Sequence, residues 1–244
     1  MARRFFLAVL PIVVLVGLSG CGDDEAKNDA APGAGAYDPM IDPAEFSSST
    51  TIDNPFMPWV PGMELTYVED EVDTVRVVVT EDTKTIMGVE CVVVHDELTD
   101  EDGVVVEDTY DWYAQDDAGN VWYFGEDTVE YDDAGNPDPA GSWEAGVDGA
   151  LPGIVMPADA VPGEPYRQEF YEGEAEDWGQ ILEVDVDVAV LAGDYGECLI
   201  TKDWSGLEPD VVENKWYCFG VGNVKAEVVE GGTGLEELKV AVIP

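Results

Sequence analysis

Hydrophobic and polar residues alternate along most of the chain after residue 60, with the two-residue period of a β-strand. Valine occupies every second position of residues 75–79 and 184–190, and polar residues such as Arg76 and Asp187 stand between them. This pattern is typical of a strand with one buried face. No stretch keeps the 3.6-residue period of a helix. The candidate strands are residues 63–70, 73–86, 89–98, 104–115, 120–131, 166–172, 180–191, 196–204, 211–219, 222–230 and 235–242.

Short turn signals separate these strands. Residues 100–103, 116–120 and 132–136 read DEDG, DDAGN and DDAGN, and Asp or Asn followed by Gly is typical of hairpin loops. The sequence therefore predicts an all-β domain, an antiparallel meander of about ten strands. We expect a closed or partly open barrel, because exposed sheet edges invite aggregation. A two-sheet sandwich is the alternative.

One long segment, residues 137–165, interrupts this rhythm and is called the flap below. It is rich in proline and glycine, and it contains no convincing strand. A connection of this length is usually functional or disordered. The flap also carries Trp143, Leu151, Ile154, Val155 and Met156, which a disordered segment would expose to water. We therefore expect an ordered flap over the mouth of the barrel; a structural plug without a ligand is the alternative.

The first 21 residues predict export and lipid anchoring. Arg3 and Arg4 precede an apolar run over residues 5–18, which is too short for a membrane span. The run ends in LSGC, which resembles a bacterial lipobox, with Cys21 as the lipidated first residue of the mature protein. Residues 1–21 are therefore interpreted as a lipoprotein signal peptide, residues 22–51 as a flexible tether and residues 52–244 as a single β-rich domain. An outer-membrane or cell-surface location is favoured over the inner membrane.

The composition narrows the range of partners. The chain has 244 residues, with 54 acidic against 10 basic residues and a net charge of −44. Such a chain repels phosphate backbones, so binding to nucleic acid is excluded. Its 45% hydrophobic residues are enough to build a core, which excludes disorder throughout. The acidity itself fits either a salty habitat or cation binding.

Three cysteines remain after the lipobox. Cys198 and Cys218 fall nearly opposite each other in a hairpin that turns around residues 205–210, and export favours oxidation, so we predict a disulfide between them. Cys91 is left in an apolar strand and is interpreted as a buried, inert thiol.

Motifs for catalysis are lacking in the sequence. It has one histidine, His95, and no GxSxG, HExxH or glycine-rich loop that opens a helix. We therefore predict no enzyme activity and no cofactor. Calcium is the alternative, since the acidic loops offer carboxylate oxygens, with Asp100, Asp102, Asp116 and Asp132 as the candidate ligands. These loops fail the EF-hand spacing, and hairpin turns explain them adequately.

The aromatic hairpin 110–124 is the most distinctive local feature. Pairing about the loop 116–119 sets Tyr113 opposite Trp122 and Trp112 opposite Tyr123, with aromatic residues on both faces. A strand pair that is apolar on both faces must be covered twice. One face belongs to the core, and the other either lies under the flap or forms a platform for a ligand. Core packing is the simpler interpretation.

Several segments carry a family resemblance. DNPFMPWVPG (53–62), DTYDWYAQDDAGNVWYFGED (108–127), GSWEAGVDGALPGIVMPAD (141–159), YRQEFYEGEAED (166–177) and FGVGNVKAE (219–227) resemble a widespread family of secreted or lipid-anchored bacterial β-rich proteins. The resemblance covers most of residues 52–244. The family is uncharacterised, so the resemblance implies no reaction.

The functional expectation is a non-enzymatic lipoprotein of the bacterial envelope. Apolar surface on both faces of one hairpin, beside a long apolar flap, suits a concave site for an apolar ligand or an envelope partner. The residues expected to line that site are Trp112, Tyr123, Trp143, Ile154 and Met156. A calcium-binding module that uses the acidic loops is the alternative.

Overall fold

The structure, a computed structural model, describes residues 37–132 and 134–244. The predicted signal peptide, the predicted lipidation site Cys21 and the predicted tether up to residue 36 lie outside the described residues. Within them the fold is all-β, as predicted, and its one helix is a 3-10 turn at Pro43–Glu45. The strands, numbered β1 to β15, are Glu64–Glu69, Asp73–Ile86, Val89–Thr99, Val105–Gln115, Val121–Tyr131, Pro137–Asp138, Trp143–Glu144, Leu151–Met156, Tyr166–Arg167, Glu169–Phe170, Asp177–Val190, Gly193–Ser205, Val212–Cys218, Gly222–Glu230 and Leu235–Val242.

The strands form one antiparallel sheet. Its order is β10-β8-β5-β4-β3-β2-β1-β15-β14-β13-β12-β11-β9, and β6 and β7 pair with β5. Sequence neighbours pair along most of this path, which is the predicted meander. The link between β1 and β15 joins the N-terminal and C-terminal strands. The alternation of valines at 75–79 places Val75, Val77 and Val79 in the core, each at most 2% exposed.

The sheet curls without closing into a barrel. β9 and β10 stand at opposite ends of the strand order, yet only Gln168 separates them in the chain. β9 pairs with β11 and β10 pairs with β8, so residues 166–170 touch both ends of the sheet. The predicted single strand at 166–172 is thus divided between two partners. The ends meet at this short segment, without the continuous ladder of a closed barrel.

The flap is part of the sheet, contrary to the prediction that it contains no strand. β8 pairs with β5 through Val121↔Met156 and Tyr123↔Gly153, and two shorter strands within the flap also pair with β5. Sequence patterns missed β8 because Pro152 and Gly153 interrupt it. Gly153 fits closely: an added Cβ would lie 2.3 Å from the carbonyl carbon of Gln168. The glycine therefore allows β8 and residues 166–170 to approach each other.

The N-terminal described residues pack against the aromatic hairpin. The ring of Phe46 lies 6.3 Å from that of Trp122 and 6.0 Å from that of Phe124. The Gln115 amide donates to the Ser49 carbonyl at 2.9 Å, and the Ser49 hydroxyl donates to the Glu90 carbonyl at 2.7 Å. The packed part of the chain therefore begins before residue 52, the start expected from composition.

The cysteines follow the strand register. Cys198 in β12 lies directly opposite Cys218 in β13, with the Cα atoms 4.0 Å apart, and a disulfide joins them. Cys91 is a free thiol inside the core, and burial raises its pKa to about 12. At neutral pH it is therefore protonated and a poor nucleophile. In the described residues, no helix is long and apolar enough to cross a membrane.

Candidate functional site

The inner face of the curled sheet changes from apolar to acidic along its strands. Residues directly opposite each other in an antiparallel pair share a face, so the register identifies the inward positions. The inward-facing positions of β1 begin with Leu65 and end with Glu69. Those of β12 begin with Leu199 and end with Asp203. The neighbouring strands repeat this change in the same direction. The interior therefore has an apolar half and an acidic half.

The acidic half collects most of the buried charge of the described residues. Lys215 is the one buried basic residue among them. The buried acidic residues are Glu69, Asp73, Asp111, Glu126, Glu169, Asp177, Asp203, Glu213 and Glu236. Asp96 and Glu107 share this face and are half-buried.

Many of these carboxylates have oxygen atoms without a hydrogen-bond partner. Ten buried oxygens from eight of these interior acids have none: Asp73 Oδ1, Asp111 Oδ2, Glu126 Oε1, Glu169 Oε1 and Oε2, Asp177 Oδ1, Asp203 Oδ1, Glu213 Oε1, and Glu236 Oε1 and Oε2. One further such oxygen in the described residues, Glu208 Oε2, lies in the loop that follows β12. Glu236 is completely buried, and both its oxygens are in this group. Folded proteins rarely leave buried polar atoms unpaired, because each costs free energy. A concentration of them on one surface therefore points to a missing ligand or to water.

Lys215 is held by two of the acids. Its Nζ lies 3.2 Å from Glu213 Oε2 and 3.5 Å from Asp203 Oδ2. Burial by itself lowers the pKa of Lys215, but the two carboxylates more than offset this effect, so the pKa lies well above its ordinary value. The interior thus already stabilises one ammonium group between two carboxylates.

Burial raises the pKa of several other interior acids more than their neighbours lower it. Burial raises the pKa of Asp111 to about 8 and that of Asp177 to about 7. Burial also raises the pKa of Glu236 well above its ordinary value, and the nearby Glu69 and Asp96 raise it further. In Glu213 the ammonium of Lys215 counteracts burial, and the pKa rises only to about 6. At neutral pH and without a ligand, carboxyl groups such as Asp111 and Asp177 are therefore partly protonated.

The five residues expected to line an apolar site are mostly packed into the core. Tyr123 and Trp143 do meet, with ring centroids 5.3 Å apart. Trp112 is covered by Lys84, whose Nζ lies 3.2 Å from the ring centroid. Met156 is completely buried beside Val121, and Ile154 is half-buried. The structure thus brings Tyr123 and Trp143 together, whereas Trp112 packs against Lys84 and not against the flap residues Trp143, Ile154 and Met156.

The hairpin register differs from the predicted one. Tyr113 lies opposite Tyr123, and Ala114 lies opposite Trp122, because the loop between Gln115 and Val121 holds the five residues 116–120 and not the four residues 116–119. A bulge shifts the register again between Asp111 and Tyr113. The predicted pairs Tyr113–Trp122 and Trp112–Tyr123 are therefore wrong. The bulge brings Tyr123 within reach of Asp111, and its hydroxyl donates to Asp111 Oδ1 at 2.8 Å. A bulge of this kind leaves no signal in the alternation of residue types.

The loop aspartates expected to bind calcium accept bonds from their own hairpin turns. Asp100 Oδ1 accepts from the amides of Asp102 and Val104, and Asp132 Oδ1 accepts from those of Ala134 and Asn136. Asp116 accepts from two amides, from the Asn120 side chain and from the Trp122 indole.

Successive hairpin loops also lie at opposite ends of a meander. The loop of Asp116 is therefore remote from the loops of Asp100, Asp102 and Asp132. The structure does not bring the four candidate ligands together.

A separate group lies on the outer face of β3 and β4. His95 Nε2 lies 2.6 Å from Asp108 Oδ1, and with Glu97 they form the one set of three ligand atoms within 4.8 Å of one another in the described residues. The Tyr110 ring stacks on His95 at 4.4 Å. All three are partly exposed to water, and the hydrogen bond between His95 and Asp108 explains their geometry without a metal ion.

Sequence reasoning missed the acidic half of the interior. A signal was present: in LTYVE (65–69) and ECLITKD (197–203), an acid occupies an inward position two residues beyond a buried one. With 54 acids in the chain, such positions do not stand out. The strand registers were needed to show that they meet on one surface.

Comparison with known proteins adds little to this picture. No family model and no curated protein matches the chain. Among solved structures, a candidate exported protein with a YmcC-like fold from Bacteroides fragilis is 15% identical, covering 77% of this chain and 99% of its own, with a TM-score of 0.43. A candidate lipoprotein from Parabacteroides distasonis is 12% identical, covering 78% and 99% of the two chains, also with a TM-score of 0.43. Similarity at this level defines neither fold nor function, and nothing is carried over from these proteins.

Proposed function

We propose that this chain is a non-enzymatic, lipid-anchored protein of the bacterial envelope that binds a positively charged ligand in the acidic half of its interior. The observation that carries the proposal is the set of ten buried, unpartnered carboxylate oxygens, opposed by the single ammonium of Lys215. Export and lipid anchoring rest on the lipobox at Cys21.

The energetic argument starts from the ligand-free protein. An isolated buried carboxylate is expensive, so it takes up a proton or finds a cation. The folded protein here leaves several such groups on one surface, and this lowers its stability at neutral pH. A cation that entered the acidic half would replace the protons and restore the lost electrostatic free energy. A binding site is where such a cost is compensated by the ligand.

The acidic half supports this function better than either site expected from the sequence. Trp112, Tyr123, Trp143 and Met156 are buried by other parts of the chain, and Ile154 is half-buried. Binding of an apolar ligand beside these residues stays a prediction. Their burial by the protein itself does not support it. The loop aspartates accept hydrogen bonds within their hairpin turns, whereas the interior acids have carboxylate oxygens without a hydrogen-bond partner.

The test is the melting temperature of the full-length chain in different cations at constant ionic strength and pH 8. Calcium, magnesium, arginine amide and spermidine would each be compared with sodium alone. A ligand that binds only the folded state raises the melting temperature. We expect at least one of these cations to do so in the wild type and to lose most of the effect in Glu236→Gln. Equal melting temperatures in all cations would refute the proposal.

The matched control is Glu101→Gln, which removes an exposed carboxylate from a hairpin loop. It should respond to each cation as the wild type does. If Glu101→Gln and Glu236→Gln lost the response equally, the cation would be acting on the overall surface charge, and the interior site would be wrong.

A further inference from the structure

We infer that the ligand is a linear organic cation with two or more ammonium groups, of the polyamine class, and not a single metal ion. This inference rests on the proposed function and names the class of ligand for that site. It follows from how the carboxylates are spaced, from how the interior holds its own lysine, and from the polar and aromatic groups beside them.

The interior acids do not converge on one point. Oxygens bound to a single calcium ion at about 2.4 Å lie within about 5 Å of one another. In the described residues, the one set of three ligand atoms within 4.8 Å of one another is His95, Glu97 and Asp108, which lie on the outer face. The buried acids therefore offer no ready coordination shell for a dehydrated metal ion.

The negative charge is instead distributed around the interior. Glu126 on β5 is influenced by Glu169 on β10 and Asp177 on β11, across the place where the two ends of the sheet meet. Glu236 on β15 is influenced by Asp96 on β3 and by Glu213 on β13. Several separated carboxylates match a ligand that carries several separated positive charges.

Lys215 shows the kind of group that this surface accommodates. Its ammonium group lies between Glu213 and Asp203, at 3.2 and 3.5 Å. A primary ammonium donates three hydrogen bonds and fits between neighbouring acceptors. Glu236, Glu126 and Asp111 also present buried carboxylate oxygens, and these have no hydrogen-bond partner.

Uncharged groups give independent evidence of a missing ligand. Asn223 is 2% exposed and lies opposite Tyr217 on the inner face, and its side-chain oxygen and nitrogen both lack a partner. Thr201, opposite Lys215, is completely buried with an unpartnered hydroxyl. These are not acidic residues, so their unsatisfied state does not follow from the acidity of the chain.

Aromatic rings border the acidic half, and they suit the methylene segments between the ammonium groups of such a ligand. Tyr67 and Tyr217 are buried on the inner face, between the apolar and the acidic halves. The Tyr67 hydroxyl donates to the Asn223 carbonyl at 2.9 Å. Methylene groups pack on ring faces, and an ammonium group is attracted to them. A polyamine supplies both kinds of group.

The test is calorimetric titration of the full-length chain with butylamine, putrescine, spermidine and spermine, and with calcium, at pH 8 and constant ionic strength. We expect spermidine and spermine to bind at least tenfold more tightly than butylamine. Glu236→Gln should weaken spermine binding at least fivefold, and Glu101→Gln should leave it unchanged. Titration in two buffers of different ionisation enthalpy should show protons released on binding, because the interior acids must ionise to pair with the ligand.

The outcomes separate the inference from the proposed function. If calcium or magnesium bound in a manner sensitive to Glu236→Gln and the amines did not, the polyamine inference would be wrong and the cation site would stand. If no cation bound, both would be wrong. If spermine bound the wild type and both variants equally, without proton release, it would be associating with the outer surface, and the inference would again be overturned.

Discussion

Two populations of carboxylates on this chain differ in what surrounds them. In the hairpin loops, Asp100, Asp116 and Asp132 each accept at least two backbone amide hydrogen bonds. In the interior, Glu236 has both oxygens buried without a hydrogen-bond partner. The loop acids stabilise the turns that join the strands. The interior acids destabilise the ligand-free sheet that holds them.

The difference teaches where to look for function in a very acidic protein. Acidic residues are so common here that neither their number nor their clustering in the sequence distinguishes a site. What distinguishes the two populations is whether the fold satisfies their oxygens. Stability lost at one surface, with no structural gain in return, is the physical mark of a surface kept for binding.

The largest expected effect comes from removing Lys215, the one buried basic residue in the described part of the chain. Lys215→Met leaves Asp203 and Glu213 without their partner, and breaking a buried ion pair in this way typically costs about 3–5 kcal/mol. We expect the free energy of unfolding, measured with urea at pH 8, to fall by that amount. At pH 5 the loss should be smaller, because the carboxyl of Glu213, whose pKa burial raises to about 6, can then take up a proton.

Lys202→Met is the matched control on the same hairpin. Lys202 lies on the outer face, with its Nζ 5.0 Å from the centroid of the Trp204 ring. An exposed cation–π contact contributes about 0.5–1 kcal/mol. Equal losses in the two variants would mean that Lys215 compensates no buried charge.

The second effect is a fall in stability as pH rises. Asp111, Asp177 and Glu107 have folded-state pKa values of about 8, 7 and 7, raised by burial above those of the unfolded chain. The folded state then binds more protons, so its stability is greatest below the unfolded pKa and is lost as pH rises through the folded pKa. Between pH 5 and pH 8 we expect the melting temperature to fall by roughly 5–10 °C, or about 2–3 kcal/mol for a chain of this length.

The loop acids predict the opposite slope at lower pH. Hydrogen bonds from the Asn136 side chain and amide lower the pKa of Asp132, so its contribution is present above the unfolded pKa and is lost as pH falls. Melting curves of the full-length chain at pH 3 to 8 and constant ionic strength should therefore show a maximum near pH 4–5. A melting temperature that rises steadily to pH 8 would show that the interior acids are paired.

Much of the fold could be predicted because it rests on local alternation. The strand at 73–86 and the loops at 100–103 and 116–120 needed only the two-residue period and the Asp-Gly signals. β8 escaped prediction because Pro152 and Gly153 break its pattern, although a close approach to Gln168 requires the glycine. The bulge near Asp111 escaped because it moves one residue without changing residue types.

The candidate site could not be predicted because it depends on distant pairs. Glu236 and Asp96 are 140 positions apart in the chain, and they face each other only when β15 follows β1 in the sheet. Glu169 and Asp111 come together only when the flap joins β5. The alternation of residue types shows which face of a strand a residue lies on. Only the order of the strands in the sheet shows which acids lie close together on that face.

The third prediction reverses the usual sign of a core substitution. Glu236→Gln keeps the shape of the side chain and removes a group that is costly to ionise in the interior. At pH 8, without ligand, we expect the free energy of unfolding to rise by about 1–2 kcal/mol, within the cost of one unsatisfied buried polar group. At pH 5 the gain should disappear, because the carboxyl is protonated. A loss of stability at pH 8 would show that Glu236 has a partner in the folded protein, which would contradict its assignment to the site.

The last effect belongs to a loop acid and has the opposite sign to that of Glu236→Gln. Asp116→Ala removes the acceptor for the amides of Ala118 and Asn120 and for the Trp122 indole. We expect a loss of about 1–2 kcal/mol at pH 8, since one hydrogen bond to a charged group contributes roughly that amount and water replaces the others. Asp102→Ala, at an exposed position in another hairpin loop, should change stability by less than about 0.5 kcal/mol. If Asp116→Ala instead stabilised the protein, as Glu236→Gln is expected to do, general charge repulsion would explain both results, and the distinction between satisfied and unsatisfied carboxylates would be wrong.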